Sequence, residues 1–331
     1  MTTDGAANET GAASLLVNAD NAQRCCAHDI QLAINDPLDP KKSHPPVACQ
    51  PHRDVIKKAH ALVTFINGHK TTFQAFSTRA QKKRENEEGA RMFNTLVVDV
   101  ETRWDSELAL LERLVYFDSE ILDMYLDPEL TIPPDMMLSR FEFDLAFAMT
   151  LVLLPFRIFT KFVQNRDVVT LGYVPHKIDE LISQLAPGSF GGRLFDRAPG
   201  VLEALESFQA CLVTSIRRRF ADRFQGESLA MAALFLLPGP DRFVFNNFVV
   251  NQSILDAVKD NMVNDMVELL HPDVSPEIKA SASAFTRQAL EHAQNLLNNS
   301  DPDADPLEWW PSHPELGSLY SLARLVLSIP S

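Results

Sequence analysis

Proline placement constrains this chain more than any other feature. Between Tyr116 and Asn299, breaks fall at Pro128, Pro133, Pro155, Pro175, Pro187, Pro238 and Pro272. Proline fixes φ and has no N–H to donate, so it is excluded from central strands and ends or kinks a helix. The stretches between the breaks carry apolar residues three and four apart, and β-branched alternation is scarce. That spacing makes one apolar helical face. Helices are therefore expected over about 136–162, 175–185, 199–223, 229–236, 253–270 and 276–298. No fixed repeat period links them, which argues against a solenoid.

The 331 residues, 46% of them hydrophobic, suffice for one large core or two smaller ones. A formal charge of −14 argues against the coat of positive potential that a nonspecific DNA binder carries. Any nucleic-acid contact has to be local. Cations concentrate over 52–91, with Lys57, Lys58, Lys70, Arg79, Lys82, Lys83, Arg84 and Arg91, and again at Arg217, Arg218, Arg219 and Arg223. Each group reads either as a phosphate-contacting patch or as a solvated helix face. Cys25, Cys26, Cys49 and Cys211, without a signal peptide, fit reduced thiols of the cytosol or nucleus. The most apolar stretch, 145–159, contains Pro155 and Arg157 and is shorter than a bilayer span, so a buried helix is expected there and no membrane partner.

Residues 98–116, VDVETRWDSELALLERLVY, pass from a polar entry into an amphipathic run. Thr102 or Asp105 can cap a helix whose apolar face is Leu108, Leu111, Leu114 and Val115. Arg103 and Trp104 stand at its mouth. A guanidinium beside an indole at a helix N-terminus offers a phosphate contact and a stacking face together, enough to hold a flipped base. Equally, Trp104 fits a core aromatic, with Arg103 pairing with Asp99, Glu101 or Glu107.

Near the N-terminus, Asp4 reads as a solvated acid, a helix cap or part of an ordinary turn. Cys25 and His28 stand at Cys-x-x-His spacing, and the residues after them read as a strand or a helix start; two ligands do not make a structural zinc site. The proline-rich segment 36–52 reads as a loop, 54–76 as one helix with Val55, Ile56, Ala59, Leu62, Val63 and Ile66 on one side, and 78–90 as a loop or helix extension. At the other end, 299–306 is an acidic linker. Trp309 and Trp310 follow, then a helix over about 316–327. There Leu316, Leu319, Tyr320, Leu322, Ala323, Leu325, Val326 and Leu327 make an apolar surface too large for a lone terminal helix. It has to pack on its own domain or on a partner.

Four stretches in order, TTDGAANE at 2–9, RCCAHDIQLAI at 24–34, TRWDSELALLERL at 102–114 and DPLEWWPSHPELGSLYSLARLVLSIP at 305–330, resemble the hAT superfamily of DNA transposases. The resemblance implies a mainly α chain: a helical insertion domain with remnants of an RNase H-like α/β core. It divides the chain into a partial core over 1–115, an all-helical insertion over 116–299 and a dimerisation segment over 300–331. It makes Asp4 the second of three metal-binding acids and places Cys25 and His28 near the active site. It points to DNA contact by Arg103 and Trp104, beside the basic residues Lys57, Lys58, Lys82, Lys83 and Arg84. It also implies self-association through Trp309, Trp310 and the helix after them, and a nuclear location.

Two-metal phosphoryl transfer needs several carboxylates converging on two ions. The family's first acid and third acid, a Glu, have no counterpart here, so the resemblance implies an association module without its own catalysis. No cofactor is then expected. The alternative is part of an active cut-and-paste transposase using Mg2+; a third reading is a helical interaction protein that binds no nucleic acid.

Overall fold

The computed structural model describes residues 2–3, 23–39, 46–86, 93–97, 104–165, 170–194, 196–225, 228–270, 275–316 and 319–327. Helix accounts for 76% of them, so the chain is mainly α. The β structure among them is a two-residue parallel ladder pairing β1, Thr2–Thr3, with β2, Gln23–Arg24.

Thirteen α-helices follow among the described residues: α1 Cys26–Leu38, α2 Gln50–Gly68, α3 Lys70–Asn86, α4 Trp104–Tyr116, α5 Asp118–Tyr125, α6 Arg140–Val163, α7 Val174–Gln184, α8 Val201–Phe220, α9 Leu229–Phe235, α10 Gln252–Leu270, α11 Pro276–Asn298, α12 Pro306–Trp309 and α13 Leu319–Leu327. Residues 26–34 are thus helical and not a strand. The single helix expected over 54–76 is two, because the chain leaves the helical region at His69 (φ −113°, ψ 116°), just after Gly68. Gly68 has the least to lose by leaving a helix. The His69 ring stacks on Phe65 and bonds its carbonyl at 2.8 Å, closing the break. By contrast Pro155 does not end α6, which runs through it.

The chain forms two compact units. One comprises Gln31–Ile158 and Gln184–Ser215, the other Met1–Ile30, Phe159–Ser183 and Ile216–Ser331. This division differs from the expected partition at 115 and 299: residues 300–331 share a unit and a core with 216–299.

In the first unit, Val55, Ala59, Leu62, Val63 and Ile66 of α2 are buried together with Phe76 of α3 and Leu108, Leu111 and Leu114 of α4. Phe76 meets Phe117 edge-on at 5.0 Å. The α4 helix carries Asp105 and Glu107 in its first turn and Arg113 in its last, each sign complementing the local helix dipole. The stretch Pro134–Val163 is long and apolar enough to cross a membrane, longer than its sequence indicates, and 56% of its most apolar window is buried inside the protein. Arg157 on it is held by Asp105 at 2.6 Å and Glu112 at 2.8 Å.

The second unit is organised on α9, whose Ala230, Met231, Ala233, Leu234 and Phe235 are all buried. Ser228 caps it, its Oγ accepting from the Ala230 N–H. Around it lie Val258 and Val263 of α10, Leu290 and Leu297 of α11, Trp309, Trp310, and Leu319 and Ala323 of α13.

Candidate functional site

Helices α2 and α3 hold most of the first basic stretch. Each buries an apolar stripe, so the intervening positions face solvent. Several cations there are taken up by acids later in the chain: Lys58 by Glu142 at 3.0 Å, Lys83 by Glu120 at 3.0 Å, and Arg79 by Asp127 at 2.7 Å. Arg84 donates to Asn94 at 2.7 Å. Lys57, Lys70 and Lys82 are exposed and make no ion pair among the described residues. Phe73, 40% exposed, lies on the same helix as Lys70 and Lys82. Lys70 and Phe73 stand three apart on α3 and so share a face, whereas Lys57 is on α2 and Lys82 lies in the last turns of α3.

Arg103 lies outside the described residues, and Trp104 is the first residue of α4. The indole is 5% exposed, so the stacking face expected of Trp104 is turned into the protein core. The position reads as packing because a helix start that buries Leu108 and Leu111 also buries the residue one turn earlier.

Asp4 also lies outside the described residues. Cys25 and His28 are half-buried at the start of α1, flanking Cys26, whose thiol burial pushes up to about 12. No group of three His, Cys, Asp or Glu side chains that could hold a metal ion exists among the described residues. Beside them Asp29 accepts a 2.8 Å bond from Arg223, both groups buried. Arg223 therefore belongs to an internal ion pair and not to a basic patch; Arg217 and Arg218 are exposed in the last turn of α8.

The expected dimerisation surface is covered by the chain itself. Trp309, Trp310, Leu316, Leu319, Ala323 and Leu327 are buried in the core around α9, and Tyr320 is packed against it half-buried. The side chains of Leu322 and Leu325 lie outside the described residues. Trp310 donates its indole N–H to the Leu236 carbonyl at 3.0 Å, and Trp309 donates to Ser300 Oγ at 2.8 Å. Asp305 of the acidic linker caps α12 through the Leu307 N–H. Gly239, at φ +111°, donates to the Leu297 carbonyl, and a Cβ there would meet Pro302 at 3.0 Å. The linker is thus locked against the turn after α9, and the apolar helix needs no partner to cover these positions.

No family model matches the chain, and no curated protein does.

Two buried polar residues lie outside the sites expected from the sequence. His52, buried completely on α2, stacks on Phe208 at 4.7 Å, and neither ring nitrogen has a hydrogen-bond partner. Burial, helped by the Arg53 charge, pulls its pKa to about 4, so it is a neutral imidazole at pH 7. Arg53 itself is fully engaged, donating to the Pro37 and Pro46 carbonyls and to Gln50 Oε1. In the second unit Arg242 is 5% exposed and donates Nη1 to the Gly239 carbonyl, while Nε and Nη2 have no partner. Its guanidinium lies 5.3 Å from the Phe243 ring, and burial lowers its pKa to about 10.

Proposed function

We propose that this chain is a hAT-transposase-like helical module, nuclear in location, that acts by association with nucleic acid and with copies of itself. The observation that carries nucleic-acid contact is that Lys57, Lys70 and Lys82 on α2 and α3 are exposed and make no ion pair among the described residues, with Phe73 exposed one turn after Lys70. Phosphate contacts come from such free ammonium groups, and an exposed ring gives a base a face to stack on. Lys58, Lys83 and Arg84 are already engaged within the protein and contribute less. The resemblance to the family rests on the order of its four stretches. The parallel pairing of Thr2–Thr3 with Gln23–Arg24 supports an RNase H-like remnant, since in that core the acid matched by Asp4 follows a strand. Self-association uses a surface other than the buried faces of Trp309, Trp310 and Leu319.

Fluorescence anisotropy with labelled single-stranded and duplex oligonucleotides over a salt series tests the proposal. The Lys57→Glu, Lys82→Glu double variant is expected to bind duplex at least tenfold more weakly at low salt. Its log–log salt slope should be shallower by about 1.8, the release of two counterions. Absence of wild-type binding at low salt would leave a helical interaction protein without nucleic-acid contact.

A further inference from the structure

Cys49 is the N-cap residue of α2 and is completely buried, whereas Cys211 lies in the third turn of α8 and is half-buried. One turn after Cys49 and one turn before Cys211, His52 stacks on Phe208 at 4.7 Å. Residues three apart on a helix share a face. Cys49 precedes His52 by three and Cys211 follows Phe208 by three; Arg53 donates to the Pro37 carbonyl and Ser215 to Asp36, so the start of α2 and the later turns of α8 meet the same segment and the two cysteines lie on the same side of the ring stack. The Cys211 thiol, together with burial, pushes the Cys49 thiol up, as a close neighbour does. Both belong to the same compact unit, and both are free thiols in this structure.

We propose that Cys49 and Cys211 are a redox-modification site that a hydroperoxide converts to a disulfide, tying the start of α2 to α8. The step balances without a metal. The Cys211 thiolate, on the more accessible residue, attacks the peroxide: an S–O bond forms, the O–O bond breaks, and the leaving hydroxide takes a proton to become water. Cys49 then gives up its proton and attacks the Cys211 sulfur; the S–S bond forms, the S–O bond breaks, and a second water leaves. The two thiols supply the two electrons that reduce the peroxide. Burial and the Cys211 thiol both push the Cys49 thiol up, so it is the resolving and not the attacking group. Joining the two sulfurs requires that they close to about 2.05 Å. The bond closes a long loop and constrains the unfolded chain. It also holds the Arg53 network that joins α2 to the Pro37 and Pro46 carbonyls.

The inference is independent of nucleic-acid binding. The full chain, treated with hydrogen peroxide and then alkylated under denaturing conditions, is expected to lose two of its four titratable thiols and to yield a crosslinked Cys49–Cys211 peptide by mass spectrometry. A dithiol reductant should restore all four. Its thermal midpoint should rise on oxidation and fall back on reduction. In Cys49→Ser, Cys211 should accumulate as sulfenic acid and label with dimedone; in Cys211→Ser, no intramolecular disulfide should form and Cys49 should not label. Circular dichroism checks that both variants fold, and Cys→Ala versions replace any that do not. A disulfide confined to Cys25 and Cys26, crosslinks only between chains, or four intact thiols after treatment would each overturn the proposal.

Discussion

The Trp309–Trp310 turn and the His52–Phe208 stack are both buried aromatic contacts, one in each unit, and they differ in what happens to their polar atoms. Each indole N–H at the turn reaches an acceptor, Ser300 Oγ or the Leu236 carbonyl. Neither His52 nitrogen does. A buried polar group stabilises when it is matched and is a liability when it is not. The turn should therefore be insensitive to pH and intolerant of truncation, and the stack the reverse. The largest expected effect is at the turn: Trp310→Ala leaves a cavity and an unmatched Leu236 carbonyl, costing about 3–5 kcal/mol. Urea denaturation measures it. A loss below about 1 kcal/mol would mean that α13 and the linker are not joined to the α9 core.

The second unit contains the same contrast for charges. Asp29 and Arg223 are a buried, mutually bonded pair, whereas Arg242 is buried with no carboxylate partner among the described residues. Removing one member of a buried pair strands the other, at a cost of about 3–5 kcal/mol. Asp29→Ala is accordingly expected to approach Trp310→Ala in severity. Asp29→Ala, Arg223→Met together should recover much of the loss. Failure of the double variant to recover would show that the aspartate stabilises α1 by some route other than Arg223.

The helical plan was legible because it is local. The boundaries of α11 and the start of α4 follow from proline, caps and apolar spacing within one stretch of chain. What was not legible depends on partners from afar. Arg223 finds Asp29 across 194 positions, and Lys58 finds Glu142 across 84. A basic patch therefore looks richer in sequence than on the folded surface. Trp104 illustrates the same limit: a polar entry with an aromatic reads equally as a stacking face or a core residue, and only the fold decides for the core. One miss was local. Cys49 and His52 repeat the Cys-x-x-His spacing of Cys25 and His28 where no second such pair was expected, inside a proline-rich stretch that reads as loop.

The stack should reveal itself by titration. Folding depresses the His52 pKa from 6.5 to about 4. Between those values the unfolded chain takes a proton that the folded chain refuses, so the contribution is fully present above pH 6.5 and lost as pH falls through 4. The shift corresponds to about 3 kcal/mol. In His52→Phe the ring stack on Phe208 is kept and the titration removed. Stability at pH 7 should change by less than about 1.5 kcal/mol, and the variant should overtake the wild type progressively below pH 6. Parallel pH profiles for the two proteins would mean that His52 is protonated, or solvated, in the folded state.

The smallest effect sharpens the comparison of charges most. Arg242 makes one hydrogen bond and lies against Phe235 and Phe243, so Met of similar length fills its place with little strain. Replacing an unsatisfied buried charge with an apolar side chain is neutral or stabilising, here by roughly 1 kcal/mol. Arg242→Met is therefore expected to hold or raise the denaturation midpoint, while Asp29→Ala lowers it sharply. A loss above about 2 kcal/mol in Arg242→Met would make that distinction wrong and would require an acidic group, from this chain or from a ligand, facing Nε and Nη2 in solution.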